Sequence, residues 1–248
     1  KRFMFNFIKK KNTEESAKIC FATDIHCHLV PGVDDGSSSA SLSADFIEQM
    51  QQWGITRIFA SPHVTQDLFE NSQADLDVAL GELQAELTRR GNQIFLDRSA
   101  EYRIDDFSKS QIFSGEAKTL PNNYIIVENS FIQEPWGLDQ FLFDLKVKGY
   151  KPILAHPERY FYYHGKRKRY DEIHSAGTLF QVNLLSLSGY YGKDEKAIAK
   201  YLVDKGYVDF LGTDIHKQSH VDSITEYLKT SEYRKISAKL NLLNDTAF

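Results

Sequence analysis

From residue 19 onward, short apolar runs alternate with amphipathic stretches, a pattern that leaves few folds open. The runs at 19–25, 56–60, 93–99, 124–127, 152–155, 179–182 and 208–212 read as strands. Between them, Leu42, Phe46, Met50 and Trp53 recur at helical spacing and stop at Gly54. Leu76, Leu80, Leu83 and Leu87 form a second stripe before Gly91, and Leu138, Phe141, Leu142 and Leu145 a third before Gly149. Ile198, Tyr201 and Leu202 make a fourth before Gly206. A glycine just past each stripe is a helix stop, and the stripes themselves are core-facing. Strands separated by helices pair in parallel, so the expected class is α/β. Seven strand-helix units point to a seven-stranded, TIM-like (β/α)7 barrel; a flat doubly wound sheet is the alternative. Against the flat sheet, no glycine-rich phosphate loop follows the first strand, where Asp24 to Pro31 brings histidines instead.

Polar residues capable of chemistry fall where these runs end. His26 and His28 follow the first, His63 the second, Glu101 the third, Glu128 the fourth, His156 the fifth, and Asp214 and His216 the seventh. Asp34 and Asp35 follow in a glycine-rich loop. In a βα barrel the carboxyl ends of all strands gather on one rim, so residues nearly 200 positions apart converge. Five of the eight histidines sit there, while His164, His174 and His220 read as surface or supporting residues. Imidazoles and carboxylates together suit divalent zinc, manganese or iron, and the set points to a polynuclear metal site. Such ions acidify bound water and neutralise phosphoryl oxygens. Arg159, close behind His156, offers a fork of donors for a phosphate, with Arg103 a second candidate; pairing of Arg159 with an acid such as Glu158 is the structural alternative. The aromatic and basic stretch from Tyr160 to Tyr170 either gates the pocket, holds an acidic phosphopeptide, or simply starts a solvated helix.

A length of 248 residues suits a single domain, here 19–248, behind a basic tail at 1–18. The formal charge of −4 includes Lys1, Arg2, Lys9, Lys10 and Lys11, so the rest of the chain is distinctly acidic and a poor partner for nucleic acid. Two cysteines, Cys20 and Cys27, both expected in or beside the first buried strand, are too few for a disulfide framework and suit a reducing, cytoplasmic setting. They also lack the phosphate-cradling loop of a cysteine nucleophile. No apolar run approaches the roughly 20 residues of a membrane span. The tail, with Phe3, Met4, Phe5, Phe7 and Ile8 among its basic residues, allows at most a peripheral contact with the inner face of a membrane.

His26-x-His28, His63, Glu101, Glu128, His156-Pro157-Glu158-Arg159 and Asp214-x-His216, in that order, resemble the PHP (polymerase and histidinol phosphatase) domain over residues 20 to 220. Asp24-x-His26-x-His28 with Asp34-Asp35-Gly36, and Ala155 to Arg159, are similar to its bacterial branch of protein-tyrosine phosphatases from capsule and exopolysaccharide loci. The resemblance implies a distorted seven-stranded barrel holding three metals, most often manganese, with iron or zinc also used. It implies one metal on His26, His28, Glu101 and Asp214, a second on Glu128 and His156 with Glu101 bridging, and a third on Asp35, His63 and His216. Arg159, Asp35 and His63 become the candidate catalytic residues, and Arg159 and Arg103 the candidate substrate contacts. The implied activity is hydrolysis of phosphotyrosine on a bacterial tyrosine autokinase that regulates polysaccharide export. Histidinol-phosphate phosphatase is the nearest alternative; an amidohydrolase and an inert metal-holding scaffold are more distant ones. Asn129-Ser130 departs from the aromatic residue and proline usual after the glutamate, which leaves the wall near Glu128 open.

Overall fold

The computed structural model describes residues 17–248. Residues 1–16 of the expected tail, including Lys1, Arg2, Lys9, Lys10 and Lys11, lie outside the described residues. The chain runs β1 (Thr23–Asp24), α1 (Ala40–Trp53), β2 (Arg57–Ala60), β3 (His63–Val64), α2 (Gln73–Arg89), β4 (Phe95–Arg98), β5 (Glu101–Arg103) and α3 (Asp106–Ser114). It continues through β6 (Tyr124–Glu128), α4 (Leu138–Val147), β7 (Lys151–Ala155), α5 (Arg167–Ser175), β8 (Leu179–Asn183), α6 (Leu184–Ser188), α7 (Lys193–Lys205), β9 (Phe210–Gly212), α8 (Gln218–Leu228) and α9 (Ser231–Ser237). Among the described residues every strand pair is parallel, in two sheets ordered β1-β2-β4 and β3-β5-β6-β7-β8-β9.

Backbone bonds join the sheets at both margins. Ser99 N–H donates to Ala60 O at 2.8 Å and Glu101 N–H to Pro62 O at 2.9 Å, so β2 continues into β3 and β4 into β5 across short breaks. At the other margin Asp214 N–H donates to His26 O at 2.8 Å and His28 N–H to Ile215 O at 3.0 Å, linking the ends of β1 and β9. The side chains divide by face as a period of two requires. Ile25, Phe59, Ile126, Ile153 and Phe210 form a compact inner cluster, while Ile125, Val127, Leu154 and Val182 belong to the larger core shared with the helices.

The helices follow the expected stripes. α1 is capped by the Ser39 side chain, which accepts from Leu42 N–H, and ends at Gly54 in the left-handed region with φ 108°. It buries Phe46, Ile47, Met50 and Trp53. Two expectations need correction. The run at 19–25 is strand only at Thr23–Asp24, because Ile19 N–H turns away to the Trp53 carbonyl at 3.0 Å. Cys20 is consequently exposed, and only Cys27 is buried. The run at 93–99 is likewise interrupted before β5, where Arg98 turns its guanidinium to Asp77 and Gln73.

The last residues close the end of the strands opposite Asp214. Asn244 donates to Thr23 O and Leu211 O, each at 2.9 Å, and accepts from Leu211 N–H at 3.0 Å. Asp245 accepts from the N–H groups of Ala22 and Thr23. Phe248 stacks on Phe210 with ring centroids 5.9 Å apart and meets Phe59 and Tyr124.

Candidate active site

The strand ends deliver their side chains to one place. Around Glu101 Oε2 lie His26 Nε2 at 3.2 Å, His28 Nε2 at 3.3 Å and His63 Nδ1 at 3.2 Å. Asp214 Oδ1 completes this ring, 3.6 Å from His26 Nε2 and 3.4 Å from His28 Nε2. The other Glu101 oxygen, Oε1, receives His156 Nε2 at 2.9 Å, and Glu128 Oε1 lies 3.6 Å from the same nitrogen. On the opposite side Asp35 Oδ1 faces His63 Nε2 at 3.6 Å and His216 Nε2 at 3.5 Å. All nine expected ligand positions therefore meet in one cluster, within which four overlapping groups of three or four donors lie close enough to hold an ion. Asp35 is the exposed member, and Glu101 is shared.

Backbone geometry supports the aiming. His156 and Asp214 hold left-handed φ values of 32° and 52°, which non-glycine residues adopt rarely and at a cost of order 1–3 kcal/mol. His156 thereby turns straight from β7 into the single helical turn Pro157–Arg159. Gly36 makes close approach possible, since a Cβ there would sit 2.3 Å from His28 O.

A second layer of side chains fixes the first. Gln181 Oε1 lies 2.6 Å from His26 Nδ1 and Asp34 Oδ2 2.8 Å from His28 Nδ1, leaving Nε2 of each ring directed at Glu101 and Asp214. Asp34 also accepts from the N–H groups of His63 and Gly36. The outer oxygen of Asp214 accepts from Arg159 Nη1 at 3.0 Å, from Tyr191 OH at 3.2 Å and from the Asn183 amide. Arg159 thus pairs with Asp214 rather than Glu158, and its guanidinium lies between the rings of Tyr191 and Phe131, 4.2 and 4.8 Å from their centroids. Arg103 Nε donates to Glu128 Oε2 at 2.7 Å. Of the histidines expected elsewhere, His220 lies behind Asp214, its Nδ1 3.1 Å from the Asp214 carbonyl, and lines the same pocket.

The electrostatics are those of crowded, desolvated charge. Burial alone would depress His26, but Glu101 and then Asp214 carry it up to about 9. Burial likewise opposes ionisation of Glu101, yet the imidazoles of His26 and His63 hold it well below the ordinary range. Glu128 is lifted to about 8 by burial and by the charge of Glu101, and His156 is driven down to about 4 by burial and by Arg159. Glu101 Oε2 and His63 Nδ1 are buried and make no hydrogen bond. A buried carboxylate oxygen among three imidazoles, without a donor, fits a bridging role toward divalent cations, for which this donor set is suited.

The cluster floors a pocket of about 450 Å³ walled by Leu68, Phe69, Phe131, Tyr190 and Tyr191. Sequence reasoning did not reach Gln181, Asn183, Phe131 or Tyr191. A signal existed for the first two: Gln181 and Asn183 alternate with Phe180 and Val182 in an otherwise buried strand, so both amides needed partners.

The chain is similar to tyrosine-protein phosphatase YwqE of Bacillus subtilis, with 30% identity over 198 residues covering 78% of this chain and 76% of the relative. It is 28% identical to a putative tyrosine-protein phosphatase CapC of Staphylococcus aureus over 196 residues, again 78% and 76% of the two chains. A crystal structure from work on YwqE and on CpsB of Streptococcus pneumoniae, described as metal-dependent tyrosine phosphatases, shares its fold. The TM-score is 0.76 at 24% identity, covering 89% of this chain and 96% of that one. A family model for capsular polysaccharide synthesis proteins matches residues 22–241, and the chain belongs to this CpsB/CapC family.

Proposed function

We propose that the chain is a metal-dependent protein-tyrosine phosphatase. One observation carries the reading: a buried imidazole-carboxylate cluster, with Arg159 at its edge, floors a pocket whose walls are aromatic and aliphatic. Such a pocket matches a phosphate on the end of an aromatic ring better than one on a short aliphatic side chain.

In this reading His26, His28, Glu101 and Asp214 hold one ion. Glu128 and His156, with Glu101, would hold a second, and Asp35, His63 and His216 would hold a third, with manganese the first choice and iron or zinc workable. When bound, such ions acidify water toward neutral pH and neutralise the phosphoryl oxygens. Arg159 donates to those oxygens, held and aimed by Phe131, Tyr191 and Asp214. Arg103 donates to Glu128, opposing the rise that burial and Glu101 impose on it, and offers its remaining N–H groups to the same phosphate. Tyrosine, with a pKa of about 10, leaves without a strong general acid. The two sheets act as one distorted seven-stranded barrel, and residues 19–248 as one domain. The substrate is a phosphotyrosine protein, with a tyrosine autokinase of capsule or exopolysaccharide export the first candidate. The working place is the cytoplasm, at or near the membrane's inner face; among the described residues no helix is long and apolar enough to cross a membrane.

The test is phosphate release from a phosphotyrosine peptide and from histidinol phosphate, side by side, with manganese or chelator and with His156→Ala as control. Chelator-sensitive release from the peptide alone is the expected result. Preference for histidinol phosphate would move the protein to small-molecule metabolism, and silence on both with metals bound would refute the phosphatase reading.

A further inference from the structure

Beside the active-site pocket lies a second depression of about 460 Å³, lined in part by Glu134, Trp136, Tyr162, Lys166 and Arg169. The loop after β6 separates the two, giving Phe131 to the pocket and Trp136 to the groove. That loop is tied to the segment after β7, since Tyr162 OH donates to Ser130 O at 2.8 Å, while Asn129 donates through its N–H to Tyr160 OH and through its amide to Tyr163 OH. The groove wall is thus braced, yet Trp136 is 92% exposed and Ile132 80%. Exposed large apolar side chains set together beside a site mark an interaction surface.

The charges specify the occupant further. Arg169 is engaged by Glu134 through two bonds, each 2.9 Å long, and by Asp139 and Glu172, which leaves Lys166 as the groove-lining cation that pairs with no acid among the described residues. We infer that this groove docks the polypeptide flanking the phosphorylated tyrosine, an extended segment carrying aromatic and acidic side chains. The inference rests on the phosphatase reading for its substrate. Continuity supports it: the one loop that gives Phe131 to the pocket gives Trp136 to the groove, so a segment whose ring sits beside Phe131 reaches Trp136 by crossing that loop. The occupant's aromatic side chain packs on the indole, and its carboxylate pairs with Lys166.

The experiment compares wild type with Trp136→Ala and Lys166→Glu, both at the surface and outside the metal cluster. Steady-state rates on a phosphotyrosine peptide with acidic and aromatic flanks are set against p-nitrophenyl phosphate, which has no flanks. In parallel, fluorescence anisotropy follows binding of the unphosphorylated peptide of the same sequence. Expected are a rise of about tenfold in the peptide's KM with kcat retained, unchanged rates on p-nitrophenyl phosphate, and a matching loss of peptide binding. Equal changes on both substrates, or none on either with unchanged binding, would overturn the docking role. If wild type hydrolyses neither substrate but peptide binding still depends on Trp136, the groove stands and the phosphatase reading falls. If Trp136→Ala instead dissociates a dimer in sedimentation without altering peptide binding, the occupant is a second copy and the inference is wrong.

Discussion

The two ends of the strands are built on opposite terms. At the end bearing Asp214, two non-glycine residues sit in left-handed backbone, buried oxygens and nitrogens lack hydrogen-bond partners, and five imidazoles crowd four carboxylates. At the other end Asn244 saturates the backbone of β1 and β9, Asp245 caps two free N–H groups, and Phe248 seals the inner apolar cluster. The same strands therefore spend stability at one end and gather it at the other. A site that must hold several like groups close together is affordable where the rest of the fold over-determines it.

Changes at the strained end should strike activity most. Glu101→Gln removes the carboxylate charge shared by His26, His28, His63 and His156 while keeping the shape. Phosphatase activity is expected to fall by about a thousandfold or more. Bound metal should drop with it, as read by elemental analysis, while circular dichroism stays unchanged. Chelation of the wild type should do the same, and amide exchange should then quicken around His156 and Asp214 but not around Leu211. A variant with full metal content and near-normal rates would remove Glu101 from the centre of the site.

Asn244→Ala tests the quiet end. It deletes three hydrogen bonds to buried backbone and strands Leu211 N–H, a loss of about 2–4 kcal/mol in unfolding free energy by denaturant titration. The rate per folded molecule should stay near wild type. A large fall in kcat with little loss of stability would show that the two ends are not separable in this way.

Why one end was legible and the other was not follows from the signals each leaves. His26-x-His28, His156 and Asp214-x-His216 announce themselves because imidazole and carboxylate at the ends of apolar runs have few structural uses. Helix stripes such as Phe46, Met50 and Trp53 were equally readable from their period. Asn244, Asp245 and Phe248 lie in a stretch without period, and their value comes wholly from tertiary contacts with β1 and β9. β3 and β5 were hidden for a similar reason: the apolar runs stop at Ser61-Pro62 and at Arg98-Ser99, and that strand resumes at His63 and Glu101 comes from the pairing of those two short segments with each other, which leaves no local signal. α3 escaped because its apolar face is thin, with Ile112 its one fully buried hydrophobe, although Asp105 capping Ser108 N–H was there to be read.

Gly212→Ala probes where the two ends meet. A Cβ at Gly212 would lie 2.7 Å from the Cβ of His26 and 2.6 Å from Gln181 Nε2. The inner walls there are fixed by buried hydrogen bonds, so His26 must shift. The expected outcome is a rise of several-fold in the metal concentration needed for half-maximal activity, with a melting temperature lowered by only a few degrees. Unchanged metal dependence would mean that His26 has more freedom than its bond to Gln181 suggests.

Tyr191→Phe is the smallest perturbation and the finest test of how Arg159 is held. The hydroxyl is one of three donors to Asp214 Oδ2, while the ring is one of two faces enclosing the guanidinium. Removing only the hydroxyl leaves Arg159 and Asn183 to satisfy the oxygen and leaves the ring in place. A loss of about two- to fivefold in kcat/KM is therefore expected, the size of one hydrogen bond among several. Tyr191→Leu, which keeps bulk but removes the aromatic face, should cost more than Tyr191→Phe and chiefly through KM, because a guanidinium without its stacking partner samples orientations that miss the phosphate. If the two variants behave alike, the hydroxyl rather than the ring positions Arg159, and the aromatic bracket is only a wall.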